Sequence, residues 1–240
     1  EELNPAIRIM HSWGLEVVLG KFLFGEDNQF SGTVAQRSMD LQNMIDDDTI
    51  KAVFCSRGGY GTIQILDKVN FSNLRKKPKW IIGYSDITVL HSHLNRIGFA
   101  TLHATMPINF NQNSQECLLS LKNSLFGLEN VIESRSHKLN RFGKIKGEII
   151  GGNLSILYSL LGSNSDIDAE GKILFIEDLD EYLYHIDRML INMYRNGKFR
   201  SLKGMIIGSM TDMRDNDVPF GKQADEIIFE YIKEYNFPVC

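Results

Sequence analysis

Apolar residues recur along the 240-residue chain with two different spacings, and the order of the two spacings predicts the fold. Short apolar runs such as "KAVFCS", "KWIIG" and "FATLH" are typical of buried strands, and segments with helical spacing, such as "DITVLHSHLNRI", lie between them. This alternation predicts an α/β fold with mainly parallel sheets flanked by helices. The first residues predict a helix over residues 4–13, followed by a strand at "EVVLG".

A polar, weakly periodic stretch, "LENVIESRSHKLNRFGK", interrupts the alternation at residues 128–144. A second alternating series follows, with strands at "KILFIED" and "LKGMIIGSM" and helices at "YHIDRMLINMYRNGKF" and "QADEIIFEYIKEY". We therefore predict two α/β domains, residues 1–127 and 145–240, joined by a linker over 128–144. The chain starts on a helix and stops at "NFPVC", which resembles the opening of another strand, so we expect both ends to be truncated.

Composition and charge exclude several classes of function. A formal net charge of -4 argues against a nucleic-acid partner, and no apolar run reaches the roughly 18 to 20 residues that a membrane span needs. The three cysteines, Cys55, Cys117 and Cys240, are widely spaced without CxxC pairs, which argues against a disulfide framework or a zinc site. We expect a reducing compartment, no metal and no cofactor.

The segment "WIIGYSDITVLHSH" places Ser85 between an apolar strand with Gly83 and a helical pattern. This is the strand-turn-helix setting of a nucleophile elbow, although Ile87 stands where the motif G-x-S-x-G has its second glycine. Such a turn exposes the hydroxyl and directs the first backbone N–H groups of the helix toward an oxyanion. The alternative is that Ser85 or Asp86 caps the helix.

Three glycines of "SRGGYG", namely Gly58, Gly59 and Gly61, follow the strand "KAVFCS". The carboxyl end of a strand is where α/β sheets bind ligands, and glycine lets backbone N–H groups approach a reacting atom closely. The spacing matches neither a phosphate loop nor a dinucleotide-binding loop. A tight turn between strand and helix is the alternative.

Glu177 and Asp178 end the otherwise apolar strand "KILFIED". A carboxylate there either begins a helix or orients a histidine. None of the six histidines has a position that marks it as the base: His91, for example, is more than one helical turn beyond Ser85 and would point back poorly. The residues alone thus predict a nucleophile, oxyanion donors and an acidic orienter.

Four blocks, "KAVFCSRGGYGTIQILDKVNF", "KPKWIIGYSDITVLHSHLNRIGFATLHATM", "GEIIGGNLSILYSLLG" and "KILFIEDLDEYLYHIDRML", closely resemble the LD-carboxypeptidase family, also called muramoyltetrapeptide carboxypeptidases. The resemblance implies a cytoplasmic serine peptidase with a Ser-Glu-His triad, which removes the terminal D-alanine of murein tetrapeptides in peptidoglycan recycling. Ser85 matches the family's nucleophile in G-[FY]-S-D, and Glu177 matches its triad glutamate. The backbone N–H groups of Asp86 and Gly59 would form the oxyanion hole.

The resemblance implies further features. The triad histidine follows the strand that "FPVC" begins, so we expect it beyond Cys240 and expect the 240 residues alone to be inactive. Ser85 and Glu177 lie in different predicted domains, so we expect the active site at the domain interface. Arg57 and Arg188 are candidates for reading the substrate's terminal carboxylate, although Arg188 could instead make a structural ion pair. A homodimer is also implied.

Three alternatives remain beside this interpretation. A microcin-immunity branch of the same family cleaves acyl-sulfamoyl or aminoacyl-adenylate amides. A catalytically silent protein could bind muropeptides through the same cleft. A glutamine-amidotransferase-like domain would need a cysteine where the chain has Ser85. Within the carboxypeptidase interpretation, the third peptide residue of the substrate is either lysine or diaminopimelate.

Overall fold

A computed structural model describes residues 2–240, which contain eight α-helices and six β-strands. The elements up to residue 125 are α1 (Asn4–Ser12), α2 (Val34–Asp46), β1 (Ala52–Phe54), α3 (Thr62–Leu66), β2 (Trp80–Gly83), α4 (Thr88–Arg96), β3 (Leu102–His103) and α5 (Gln115–Leu125). The remaining elements are β4 (Ile149–Asn153), α6 (Leu154–Ser159), β5 (Ile173–Leu179), α7 (Leu183–Arg195), β6 (Gly204–Thr211) and α8 (Ala224–Ile232). No helix of residues 2–240 is long and apolar enough to cross a membrane.

The chain divides into two compact units. The first contains the residues up to Leu94 and Gly98–Ile132, and the second contains Asn95–Ile97 and Glu133–Cys240. Each unit holds one three-stranded sheet, in the order β1-β2-β3 and β4-β5-β6 respectively. All four strand pairs are parallel. The α/β fold with parallel sheets and flanking helices is therefore confirmed.

The strand predicted at "EVVLG" is wrong. Residues 15–20 have no regular secondary structure. Strand β1 forms its hydrogen-bonded ladder with β2 instead of with this segment. Leu15 and Val17 do pack against the apolar cluster of the first unit, so the alternation reflects partial burial of this segment. A strand needs a hydrogen-bonded partner as well as alternation, and within residues 2–240 this segment has none.

Local capping chemistry explains where several helices begin. Thr33 and Gln36 form a capping box at α2, because each side chain accepts a hydrogen bond from the other residue's backbone N–H. Ser114 caps α5 by accepting from the N–H of Cys117 at 3.2 Å. Asn153 caps α6 by accepting from the N–H of Ile156. These polar residues fix the boundaries between loop and helix.

The core of the second unit forms between its sheet and helices α7 and α8. Helix α7 buries five side chains at helical spacing: Leu183, Ile186, Met189, Leu190 and Met193. They pack with Leu174 and Ile176 of β5, both fully buried. This packing holds β5, whose carboxyl end carries Glu177 and Asp178.

The predicted strand opening at "FPVC" pairs with the sheet of the second unit. Val239 forms a parallel bridge with Met205 of β6. The N–H of Met205 donates to the carbonyl of Pro238 at 3.0 Å, and the N–H of Ile207 donates to that of Cys240 at 2.7 Å. These bonds hold "FPVC" parallel to β6 at an isolated bridge.

Two leucines of β5 test where the core lies. Leu174 is 0% exposed and Leu179 is 47% exposed. We expect Leu174→Ala to lower the free energy of unfolding by about 2–5 kcal/mol, because it removes buried apolar surface and leaves a cavity. Leu179→Ala should lower it by less than about 1 kcal/mol. Urea unfolding measures both, and equal losses would contradict the assigned core.

Candidate active site

Ser85 stands on a strained turn between β2 and α4. Its φ is +60°, a left-handed backbone conformation that residues other than glycine rarely adopt. A one-turn 3₁₀ helix, Ser85–Ile87, leads directly into α4. Such a conformation costs about 1–3 kcal/mol and persists where the surrounding structure enforces it. The strain and the strand-turn-helix order are those of a nucleophile elbow.

Gly83 lets this turn close. A Cβ at position 83 would lie 2.8 Å from Cγ1 of Ile87, well inside van der Waals contact. Ile87, which stands in place of the motif's second glycine, thus packs against Gly83, the motif's first glycine. This contact explains how the elbow forms with only one of the two glycines in G-x-S-x-G.

The glycine loop after β1 passes directly beside the Ser85 side chain. A Cβ at Gly58 would lie 3.3 Å from Cβ of Ser85 and 3.4 Å from its Oγ. Gly59 follows with φ +118°, a value that favours glycine. The sequence identified this loop and selected Gly59 as the donor, but Gly58 is the residue whose close contact with Ser85 is observed.

The Asp86 carboxylate ties the elbow to the glycine loop. One oxygen, Oδ2, accepts hydrogen bonds from the backbone N–H of Thr62 at 2.9 Å and from its hydroxyl at 2.6 Å. Asp86 is 5% exposed, so these bonds satisfy a buried charge. Its side chain therefore caps α3, 24 residues earlier, instead of α4. The sequence did not predict the role of Thr62.

The capping alternative for Ser85 is also wrong. The 3₁₀ turn follows Tyr84 without a side-chain capping bond, and none of the hydrogen bonds among residues 2–240 involves the Ser85 hydroxyl. The hydroxyl is half-buried and unengaged. It is therefore available to a base and a substrate.

Two groups near the elbow, the His91 imidazole and the Cys55 thiol, are unsuited to the roles of catalytic base and nucleophile. The Nε2–H of His91 donates to the Gly83 carbonyl at 2.9 Å, and burial lowers the pKa of His91 to about 4. His91 thus supports the strand end. Burial raises the pKa of the Cys55 thiol to about 12, so this thiol stays protonated near neutral pH.

Glu177 lies near the carboxyl end of β5, opposite Asn153 of β4. On its other side the register shifts: Ile176 pairs with Ile207 and Asp178 with Met210, so two residues of β6 face Glu177 alone. One of them is Gly208, where a Cβ would lie 3.1 Å from that of Glu177. The bulge makes room for the glutamate side chain.

The environment of Glu177 perturbs its ionisation. Burial raises the pKa of Glu177 to about 7, the charge of Asp178 adds to this, and a hydrogen bond from Asn153 opposes it. Oε1 of Glu177 is buried without a hydrogen-bond partner among residues 2–240. A half-buried carboxylate with one free oxygen can accept a bond from a further donor. The perturbed pKa also fits a functional site.

The two candidate arginines have different surroundings. Arg57 is exposed on the glycine loop. Arg188 lies on α7 with its guanidinium 5.2 Å from the ring centroid of Tyr184, and no ion pair within residues 2–240 involves it. This cation–π contact, rather than the ion pair considered from the sequence, is its structural role in the second unit.

Two other polar pairs follow β5. Oε2 of Glu181 lies 2.7 Å from Nδ1 of His185, one helical turn away. The guanidinium of Arg214 donates twice to the carboxylate of Asp180 at 2.6 Å. These bonds hold the loop that follows Glu177.

A cavity of ≈ 590 Å³ lies in the first unit and is lined mainly by apolar side chains. Arg57, Gly58, Gly59 and Asp86 also line this cavity, whereas Ser85 is not among its lining residues.

Two family models match the chain: the LD-carboxypeptidase N-terminal domain over residues 1–104 and the LD-carboxypeptidase C-terminal domain over residues 146–240. The probable murein peptide carboxypeptidase of Bacillus subtilis (strain 168) is 34% identical over 250 residues, which cover 98% of this chain and 74% of that relative. The chain belongs to the LD-carboxypeptidase family. As a member, it is a peptidase of the hydrolase class, and the family expected from the sequence is confirmed.

Solved structures of the LD-carboxypeptidase fold match both units. The muramoyltetrapeptide carboxypeptidase from Oxalobacter formigenes has a TM-score of 0.88 and 25% identity, covering 99% of this chain and 81% of its own. The microcin C7 self immunity protein MccF in its wild-type apo state has a TM-score of 0.81 and 20% identity, covering 99% and 80%. At 20% identity the second likeness concerns the fold alone.

His91 predicts a pH dependence of stability. An unfolded chain protonates this imidazole below about pH 6.5, whereas the folded protein does so only near pH 4. Between these values the unfolded state binds the extra proton, so stability falls as the pH drops, by at most about 3 kcal/mol from this group. His91→Gln keeps a donor for Gly83 without titrating, and should lose less stability between pH 6.5 and 4.

Urea unfolding at several pH values measures this difference. His11→Gln is the matched control, because His11 is exposed near the end of α1 and should follow the parent protein. A His91→Gln variant whose stability declines as steeply as the parent's would contradict the assigned role of His91.

Proposed function

We propose that the protein is a serine LD-carboxypeptidase that removes the terminal D-alanine from murein tetrapeptides. One observation carries the proposal: the unengaged Ser85 hydroxyl stands on a left-handed turn at the start of α4, with the Gly58 backbone against it. The murein peptide and muramoyltetrapeptide carboxypeptidases among its relatives supply the substrate class.

The reaction begins at Ser85. A histidine removes the proton from its Oγ, which attacks the carbonyl carbon of the residue before D-alanine. The resulting oxyanion accepts hydrogen bonds from the backbone N–H groups of Asp86 and Gly59. As the C–N bond breaks, the histidine returns the proton to the D-alanine amine, leaving an acyl ester on Ser85. Water, deprotonated by the same histidine, hydrolyses the ester and regenerates the hydroxyl.

Glu177 is the orienting acid in this proposal. Its unpartnered oxygen, Oε1, accepts from the second ring nitrogen of the histidine and stabilises the imidazolium that forms. The family resemblance assigns this histidine to the segment after the strand that "FPVC" begins. None of the six histidines in residues 1–240 matches it, and the structure engages His91 and His185 elsewhere.

Recognition of the terminal carboxylate is assigned to Arg57. Its side chain is exposed on the loop that carries Gly58 and Gly59, next to the nucleophile. An exposed guanidinium can bind a carboxylate through two N–H donors. Arg188, which already stacks on Tyr184, is the weaker candidate.

The physiological setting follows from the proposed substrate. Murein tetrapeptides released from the wall are substrates for recycling inside the cell, so we infer a cytoplasmic enzyme, acting as the homodimer that the family resemblance implies. A second candidate function is hydrolysis of acyl-sulfamoyl adenylates. It is favoured by the TM-score of 0.81 to the microcin C7 self immunity protein, a likeness of fold.

D-Alanine release from L-Ala-γ-D-Glu-meso-diaminopimelate-D-Ala tests the proposal, using the protein expressed from its complete reading frame. We expect Ser85→Ala to lower kcat at least about a thousandfold, and Glu177→Gln about a thousand- to ten-thousandfold. Ser12→Ala, an exposed serine of α1, is the matched control and should leave kcat unchanged. Residues 1–240 expressed alone should release no D-alanine.

Three outcomes would contradict the proposal. A Ser85→Ala variant with parental activity would exclude Ser85 as the nucleophile. A folded full-length protein that hydrolyses an aminoacyl sulfamoyl adenosine, but not the tetrapeptide, would establish the second candidate function. Binding of the tetrapeptide without any hydrolysis would identify a silent muropeptide-binding protein.

A further inference from the structure

We propose that Arg37 is a positioning residue for catalysis: its guanidinium fixes one end of the glycine loop that passes beside Ser85. The inference rests on the proposed function, because it takes the backbone of this loop as a donor to the oxyanion. In this proposal Arg37 itself touches neither the nucleophile nor the reacting atoms.

The glycine loop, residues 57–61, makes few contacts that could fix its position. Within residues 2–240, no hydrogen bond involves residues 57–60. The chain is anchored before this stretch, where the Ser56 carbonyl accepts from the N–H of Ile108 at 3.2 Å. It is anchored again after this stretch, at the carbonyl of Gly61. The place of the loop backbone beside the nucleophile therefore depends on these two anchors.

The peptide group between Gly61 and Thr62 is held at both of its polar ends. Nη1 of Arg37 donates to the Gly61 carbonyl at 2.9 Å. Oδ2 of Asp86, the residue directly after the nucleophile, accepts from the Thr62 N–H at 2.9 Å. A cation thus binds the carbonyl end and an anion binds the N–H end, and such charge-assisted bonds are about twice as strong as bonds between neutral groups. This peptide group therefore connects α2 to the elbow.

The guanidinium of Arg37 is itself held in one orientation. Nε donates to the Gly32 carbonyl at 3.2 Å, and Nη2 donates to Oε1 of Gln64 at 2.7 Å. The guanidinium carbon lies 5.0 Å from the centroid of the Phe30 ring, which in turn lies 6.1 Å from the ring of Tyr60 on the glycine loop. Three nitrogens with separate acceptors, together with a neighbouring aromatic ring, fix the plane of the group.

Gly61 fits closely against this guanidinium. Its φ is +125°, and a Cβ at this position would lie 2.7 Å from Nη1 of Arg37 and 3.3 Å from Cδ1 of Phe30. Earlier in the loop, a Cβ at Gly58 would lie 3.3 Å from the Cβ of Ser85. The loop thus lies against Arg37 at one end and against the nucleophile at the other. Because interiors packed this closely transmit displacements, a shift at Gly61 would also move the backbone beside Ser85.

Arg37→Ala is the decisive variant, tested in the full-length enzyme by D-alanine release from L-Ala-γ-D-Glu-meso-diaminopimelate-D-Ala. The oxyanion forms only after attack, so a misplaced donor weakens the transition state and leaves substrate binding unchanged. We expect kcat to fall about ten- to a hundredfold and KM to stay within about twofold. Arg37→Lys keeps the charge but has one nitrogen instead of three, so its kcat should lie between those of the parent and Arg37→Ala.

Gln64→Ala is the matched control. It removes one acceptor of the same guanidinium, on the first turns of α3, and leaves the bond from Nη1 to the Gly61 carbonyl in place. Its kcat should therefore stay within about threefold of the parent's. Thermal unfolding of each variant establishes that the fold is retained.

Several results would overturn the inference. Equal losses of kcat in Gln64→Ala and Arg37→Ala would make Arg37 only a tie between α2 and α3. A raised KM with parental kcat would make it a substrate contact, and parental kinetics in Arg37→Ala would remove any role. If Arg37→Ala does not fold, Arg37→Lys decides: a parental kcat in that variant, or its failure to fold, would also overturn the inference.

Failure of this inference is distinguishable from failure of the proposed function. If Ser85→Ala abolishes D-alanine release while Arg37→Ala releases it at the parental rate, the positioning role alone fails. If Ser85→Ala still releases D-alanine, the proposed function fails first, whatever the kinetics of the Arg37 variants.

Discussion

The backbone at Ser85 has φ +60°, and a side-chain-bearing residue stays there only when its neighbours hold it. Three contacts do so from different parts of the first unit. Gly83 permits Ile87 to close the turn, the Gly58 backbone passes beside the hydroxyl, and the Asp86 carboxylate bonds Thr62 at the start of α3. The left-handed conformation of Ser85 thus depends on the position of the glycine loop. A change that displaces this loop would also release the turn at Ser85.

The second unit meets a different constraint, the placing of two acidic residues side by side near the end of a buried strand. Asn153 is the ladder partner of Glu177, and its side-chain amide donates to the neighbouring Asp178 at 2.9 Å. Asp178 accepts from the backbone N–H groups of Ser155 and Leu179, whereas Oε1 of Glu177 has no partner among residues 2–240. Burial raises the pKa of both carboxyl groups. A sheet bulge at Gly208 provides the space that this arrangement needs.

Local features were predictable from the sequence, and features that depend on pairing across the fold were not. The elbow and the strand "KILFIED" are encoded within a few consecutive residues, so pattern alone identified them. The bond from Thr62 to Asp86 joins residues 24 positions apart, and the pairing of Asn153 with Glu177 depends on a register that no single strand specifies. The segment "EVVLG" alternates like a strand, but alternation does not supply a partner.

A crystal structure of the full-length Ser85→Ala variant with a bound murein tetrapeptide tests the central claim, that the strained elbow is where the peptide reacts. The account predicts the carbonyl carbon before D-alanine over the Cβ at position 85, with its oxygen about 3 Å from the N–H of Asp86. It also predicts that the oxygen faces the Gly58–Gly59 backbone. A tetrapeptide bound with that carbonyl away from position 85 would contradict it.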